Sequence, residues 1–349
     1  MEIYNYLKDS EVFKSVINGS LSKKATILMH KNADADCVGA SLALSLLLEK
    51  LGFECKIVSS NGYSSNFRWM PNIDKVVIFD SIFKGTIIDY ISSCDIIFCL
   101  DFSQTIRIDS NIVRLLDGKK VCIIDHHPDQ PDFVAVNILN SLAASTCEII
   151  YELISLSYSE MLDKSIAECL YAGILSDTGH FITQNMTYRV HEVASDLLKR
   201  FNLDVHIINK NLFGSNRFAR MRFLGHVLSR CLKIVPDYCV AYIVLTQEDT
   251  SKFYLKPGET DGIVNYALAI ENIEVAALLN EKKDGVYISL RSVGDFSVSE
   301  FAKKHFNGGG HNNAAGGFSK KSIDETLKNF IDYISAIDSL RFNRKINLL

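Results

Sequence analysis

No two cysteines of this chain are spaced as C-x-x-C, the usual spacing of a redox dithiol or of half a zinc ribbon. Its nine cysteines sit mostly inside apolar stretches such as "SSCDIIFCL" and "IAECLYAG", where a free thiol behaves as a small hydrophobe. They are expected to be reduced core residues of a cytoplasmic protein. Apolar runs are short: "ASLALSLLL" falls far below the roughly 20 residues of a membrane span. Acids interrupt the opening "MEIYNYLKDSEVFKSV" and no long apolar core follows, so no signal peptide and no membrane partner are expected. Positive charge is not in excess either. With 37 basic against 41 acidic residues the net charge is −4, which argues against a protein that wraps long duplex nucleic acid through its phosphates. The chain shows neither internal repeat nor low-complexity tract.

The 349 residues exceed the usual size of one domain, so two are expected. From residue 25, β-rich runs ("ATILMH", "CKIVSS", "IIFCLDFS", "VCIIDHH") alternate with helical stretches ("GASLALSLLLEKLG", "IIDYISSCD"). Runs this apolar, separated by helices, predict an α/β domain with a parallel sheet covered on both faces. "LAASTCEIIYELISL", "KSIAECLYAGILSD" and "YRVHEVASDLLKRF" carry apolar residues three and four apart and predict helices. The first domain is placed at residues 1–195 and a linker at 196–215, where the pattern breaks. A smaller α+β domain follows at 216–345, with strand-like "CVAYIVLT", "IEVAALLN" and "GVYISLRS" and a helix "SVSEFAKKHF".

Four segments of the first domain end an apolar element in acids and histidines: "MHKNADADCVGA", "CLDFSQ", "IDHHPD" and "ILSDTGHF". An aspartate in such a place is ordinarily a turn or cap residue. Loops at the carboxyl ends of parallel strands converge on one crevice, however, and three of these segments follow apparent strands. The crevice would then gather several carboxylates and imidazoles, which repel one another unless cations are bound. Asp34, Asp36, Asp101 and Asp177 together match the charge of two dications. Mixed imidazole and carboxylate ligands suit manganese, iron or zinc, and oxygen-rich octahedral coordination favours manganese. Adjacent residues of an extended backbone point to opposite sides, so His126 and His127 are expected to serve different purposes.

In the second domain, "NGGGHNNAAGG" reads either as a tight turn or as a nest of backbone N–H groups for an anion. His311 within it and Arg291 on the nearby "ISLRS" favour the anion, since arginine offers phosphate a planar fork.

Together these motifs resemble the DHH phosphoesterase superfamily. "DHH" at 125–127 is its namesake, "HKNADADCVGA", "LDFS" and "SDTGHF" match its other core motifs in order, and "GGGHNNAAGG" matches the glycine-rich motif of its DHH-associated domain. The resemblance implies His30, Asp34 and Asp101 on one metal. Asp36, Asp101, His126 and Asp177 would hold a second, with Asp101 bridging; both ions are expected to be Mn2+. It implies His127 and Asp101 as catalytic residues, His127 facing the phosphate, and Arg291, Gly308, Gly309, Gly310 and His311 as substrate contacts. Asp125 is expected either to orient a histidine or to cap its strand. The architecture resembles the stand-alone members that degrade short oligoribonucleotides and remove the 3′-phosphate of 3′-phosphoadenosine 5′-phosphate. A manganese-dependent phosphoesterase acting on short RNA or nucleotides is therefore expected, and a homodimer is compatible with it. The rival readings are a phosphodiesterase for linear dinucleotides derived from cyclic ones, a pyrophosphatase or exopolyphosphatase, and a silent nucleotide-binding protein.

Overall fold

Short runs dense in valine, isoleucine and leucine form the strands of a first sheet: β1 (Lys24–Met29), β2 (Glu54–Ser59), β3 (Val76–Ile78), β4 (Ile96–Leu100), β5 (Lys120–Asp125) and β6 (Val136–Leu139). The computed structural model describes residues 5–80, 84–133, 135–182, 186–214, 217–256, 258–337 and 340, without the side chain of His311. All neighbours in the sheet are parallel and the order is β3-β2-β1-β4-β5-β6. Alternate residues of the central strands feed two cores. Ile27, Phe98 and Ile124 join one face and Leu28, Ile97, Cys99 and Ile123 the other, as expected for a sheet covered on both sides. β3 and β6 escape a reading from sequence because three and four residues at a sheet edge carry too little pattern.

The helix Ala35–Lys50 is buried on nearly every side and packs against the helix Lys164–Asp177. Gly173 of the latter makes the approach possible, since a Cβ there would lie 2.3 Å from Cys147 Sγ and 2.9 Å from Asp36 Oδ1. Residues 196–215 do not form the expected linker. The helix Tyr188–Phe201 runs into them, the helix Val205–Asn209 and a π-helical turn Lys210–Gly214 follow, and Leu197, Leu203, Ile208 and Leu212 are buried in the first core. The apolar spacing broke because short elements of two helical periods succeed one another, so the first unit runs from Met1 to Ser215.

The second unit, Asn216–Leu349, is built on β7 (Leu232–Ile234), β8 (Val240–Leu245), β9 (Val275–Lys282), β10 (Gly285–Ser292), β11 (Gly309–His311) and β12 (Ala314–Ser319). Their order is β11-β12-β10-β9-β8-β7. The sheet is mixed: β8 and β9 run parallel and the other pairs antiparallel. Along β9, Val275, Ala277 and Leu279 pack with Phe301 and Phe330 of two helices. Ala276 and Leu278 pack with Phe223 and Val264 on the opposite face. All nine cysteines are free thiols and eight are buried. Among the described residues no helix is long and apolar enough to cross a membrane.

Candidate metal centre

Strand order decides where the polar residues meet. The order reverses between β1 and β4, and ligands of such sheets sit beyond the carboxyl ends of the strands at that point. His30 directly follows β1, Asp101 directly follows β4, and Asp125 ends β5 with His126 and His127 behind it. Asp101 has φ +65°, a left-handed conformation that aspartate tolerates better than most residues and that gathers at functional sites. It turns the chain immediately after β4, at the reversal point.

Asp101 is the centre of the cluster. One oxygen lies 3.2 Å from His30 Nε2. The other accepts the Thr146 hydroxyl at 2.9 Å and lies 3.4 Å from His126 Nε2. His126 Nε2 is also 3.4 Å from Asp177 Oδ2 and 3.9 Å from Asp36 Oδ2. The helix Thr146–Ser157, capped by Ser145, directs its first N–H groups at Asp36: Thr146 donates at 2.6 Å and Cys147 at 2.9 Å. Such N–H groups have no partner inside the helix and favour an anion. The space left by Gly173 lets Asp36 occupy that place.

A divalent cation fits this donor set. His30 Nδ1 lies 2.8 Å from the Lys31 carbonyl and His126 Nδ1 lies 3.3 Å from the Ala143 carbonyl. With a cation bound, each ring would keep its proton on Nδ1 and offer it the Nε2 lone pair, the usual support of a metal-binding histidine. Ligand atoms of Asp36, His126 and Asp177 lie within 4.8 Å of one another, as do those of His30, Cys37 and Asp101.

Without a cation the cluster is under electrostatic tension. Burial, then the neighbouring Asp101, raises Asp36 to about 7, against the pull of His126. Asp177 is pushed up well above the usual carboxylate range by its enclosure, with Asp36, Asp34 and Asp101 adding to it. Burial would raise Asp101 too, but the hydrogen bonds to His126 and His30 outweigh it and hold it well below the ordinary value. The same carboxylates outweigh the burial of His126 and keep it protonated well above its ordinary range.

These shifts set a pH dependence for the metal-free protein. Asp36 and the buried Glu148, also raised by burial to about 7, bind more protons folded than unfolded between their ordinary values and about pH 7. Stability must fall as pH rises through that window. His126, with a raised pKa, contributes stability at low pH that is lost as pH climbs through its folded value, so it acts in the same direction. Asp101 is lowered and loses its contribution only at pH values below its ordinary range, outside the window. Thermal melts of chelator-treated protein should thus give a higher Tm at pH 5 than at pH 8. A flat or rising profile would contradict this origin.

The two adjacent histidines do not face opposite sides. β5 ends at Asp125, whose Oδ1 accepts the His127 backbone N–H at 3.1 Å and so turns the chain out of the extended conformation. The rings lie 4.8 Å apart edge to face, and His127 Nδ1 comes within 3.6 Å of Asp101. They still differ in support, because His127 Nδ1 lies 2.7 Å from Asp125 Oδ1. Asp125 thereby both orients His127 and ends its strand, while its Oδ2 is buried without a hydrogen-bond partner.

Asp34 is the N-cap of the helix Ala35–Lys50, its Oδ1 accepting the N–H groups of Asp36 and Cys37 at 3.1 and 3.0 Å. In the second unit, Arg291 and His311 are both in register with Ala314, from either side of β12, so the two stand in one row of the sheet. Arg291 donates to the Leu290 carbonyl at 2.9 Å. A Cβ on Gly308 would lie 1.9 Å from the Gly316 carbonyl oxygen, so this glycine is required by close backbone packing; Gly309, Gly310 and His311 form β11. Sequence reasoning missed Thr146 and Cys147. Ser145 and Glu148 are spaced as in a helix-start signature, but nothing in that spacing says which acid the N–H groups meet.

Residues 24–174 match the DHH family, N-terminal domain, and residues 236–337 the DHHA1 domain. The chain is 29% identical over 328 residues to a probable bifunctional oligoribonuclease and PAP phosphatase NrnA of Streptococcus mutans, covering 91% of this chain and 99% of that one. It is 24% identical to the bifunctional oligoribonuclease and PAP phosphatase NrnA of Bacillus subtilis over 87% of this chain and 92% of that one. The crystal structure of an exopolyphosphatase-related protein from Bacteroides fragilis superposes with a TM-score of 0.87 at 30% identity, covering 94% of this chain and 96% of that one.

Proposed function

Because this chain belongs to the DHH family of phosphoesterases, we propose that it hydrolyses short oligoribonucleotides to mononucleotides and removes the 3′-phosphate of 3′-phosphoadenosine 5′-phosphate. One observation carries the chemistry: two buried imidazoles, each anchored through Nδ1 to a backbone carbonyl, present Nε2 to carboxylates gathered on Asp101. The substrate class is supported by the likeness to oligoribonuclease and PAP phosphatase relatives along nearly their whole length.

His30, Asp34 and Asp101 would hold one divalent ion, and Asp36, Asp101, His126 and Asp177 a second, with manganese best matched to this donor mixture. Bound ions of this kind supply Lewis acidity towards phosphoryl oxygens and acidify water near neutral pH. The protein's own part begins with Thr146, whose N–H and hydroxyl fix Asp36 and Asp101. Asp125 accepts from His127 at Nδ1, which leaves Nε2 as the atom to protonate the departing ribose oxygen, a poor leaving group without a proton. In the second unit, Arg291 and the backbone of Gly308, Gly309, Gly310 and His311 are the proposed contacts for a phosphate of the substrate.

A second reading is favoured by the likeness to an exopolyphosphatase-related protein: the same ions would act on phosphoanhydride bonds. Purified protein with Mn2+ should release mononucleotide from a diribonucleotide and phosphate from 3′-phosphoadenosine 5′-phosphate. It should act far more slowly on polyphosphate and pyrophosphate. Preference for the inorganic chains would establish the second reading, and no turnover of either nucleotide substrate would overturn the first.

A further inference from the structure

The second unit carries a separate group of metal-ligand side chains that the phosphoesterase chemistry does not use. We propose that His226, Cys231 and Asp249 form a binding site for one divalent cation of the zinc class, distinct from the centre in the first unit. Each offers one ligand atom, and the three atoms lie within 4.8 Å of one another.

Local backbone structure brings them together. The helix Phe218–His226 continues into a π-helical turn, Val227–Cys231, closed by the N–H of Leu232 on the carbonyl of Val227. Residues five apart in an α-helix differ in direction by about 140° at 3.6 residues per turn. The wider π turn closes five-residue loops and returns Cys231 to the side of His226. Such turns recur at functional sites.

Asp249 is the third residue of the helix Gln247–Lys252 and closes a capping box with Thr246. Its Oδ2 accepts the Thr246 N–H at 3.0 Å and hydroxyl at 2.7 Å. That commitment turns Oδ1 to His226 Nε2, 2.8 Å away. The His226 ring is packed on Phe253, 5.3 Å between centroids, and Phe253 on Phe223. Two of the three ligands are thus held from behind, as metal ligands commonly are. Cys231 is buried, while the side chains of His226 and Asp249 are each 22% exposed. A cation can enter, and water can complete its coordination.

The donor set selects the cation. Sulfur, imidazole nitrogen and one carboxylate oxygen are zinc ligands, and the soft sulfur in particular suits magnesium, calcium and manganese poorly. Burial pushes the Cys231 thiol up to about 11, with Asp249 adding to it, so the sulfur is protonated at neutral pH. On binding, the S–H bond breaks, a sulfur–metal bond forms, and one proton leaves to solvent. The bound ion would tie the end of the Phe218–Cys231 segment to the helix Gln247–Lys252 and stabilise the second unit.

The test uses the 349-residue chain with Cys37→Ser, so that the thiol beside His30 gives no signal. Titration with Co2+ should produce a near-ultraviolet thiolate-to-metal absorption whose final intensity corresponds to one cobalt–thiolate bond per chain, and zinc should abolish it. Cys231→Ser should eliminate that band, and His226→Gln should weaken cobalt binding at least 10-fold. Absence of the band, or its persistence in Cys231→Ser, overturns the proposal. Should Cys231→Ser fail to fold by circular dichroism, Asp249→Asn and His226→Gln serve instead. Elemental analysis of zinc-loaded protein must then show one zinc fewer per chain, and an unchanged count overturns the proposal. None of these readouts depends on phosphoester hydrolysis, so the site and the proposed function fail separately.

Discussion

Asp101→Asn is expected to abolish measurable phosphoester hydrolysis and to lower Mn2+ affinity by more than about 100-fold, the upper range for residues that only support a ligand. The substitution keeps the size of the side chain and an acceptor for Thr146, yet removes the charge at the focus of the cluster. His30, His126 and His127 all face this carboxylate, at 3.2, 3.4 and 3.6 Å. With a neutral amide there, the site holds one negative charge fewer against two cations, and the proposed shared ligand is gone. Calorimetric titration with Mn2+ and turnover of a diribonucleotide measure the two effects. Affinity within about 10-fold of the parent, at unchanged circular dichroism, would remove Asp101 from its central place.

His126→Ala and His127→Ala should fail in different ways. His126 points Nε2 at three carboxylates while its Nδ1 is held by the Ala143 carbonyl, so its loss should empty a metal position. His127 is held by Asp125 instead; its loss should leave the cation bound and slow turnover about 10²- to 10⁴-fold, the usual range for a proton donor. A nitrophenyl ester of a nucleotide separates the roles further, because its leaving group needs no proton. That substrate should restore most of the rate to His127→Ala and none to His126→Ala. Equal loss of bound metal in both variants would show that the histidines act as one unit, which their approach to the same Asp101 oxygen makes a real test.

Much of the first unit was legible because parallel strands buried on both faces must be almost continuously apolar. β1, β2, β4 and β5 announce themselves in that way, and the acids at their ends stand out against it. The stretch at 196–215 differs from the expected linker for the converse reason: beyond the helix that ends at Phe201, Leu203, Ile208 and Leu212 are buried from short elements of mixed period, which no single spacing reveals. The opposed histidines were misread because the alternation rule holds only while the strand lasts, and Asp125 ends it with its own side chain.

Residue order alone determined which chemistry the chain could carry: the pairing of imidazoles with carboxylates at the ends of apolar runs is written in local sequence, where hydrophobic burial makes every charge conspicuous. Only the tertiary structure decided which of those groups share a site and in what protonation state. Asp34 caps a helix, Asp36 meets the N–H groups of Thr146 and Cys147 from 110 and 111 residues away, and a glycine at 173 leaves the space for it. Strand order, long-range hydrogen bonds and mutual repulsion in a buried volume act between residues distant along the chain, and no local pattern encodes them.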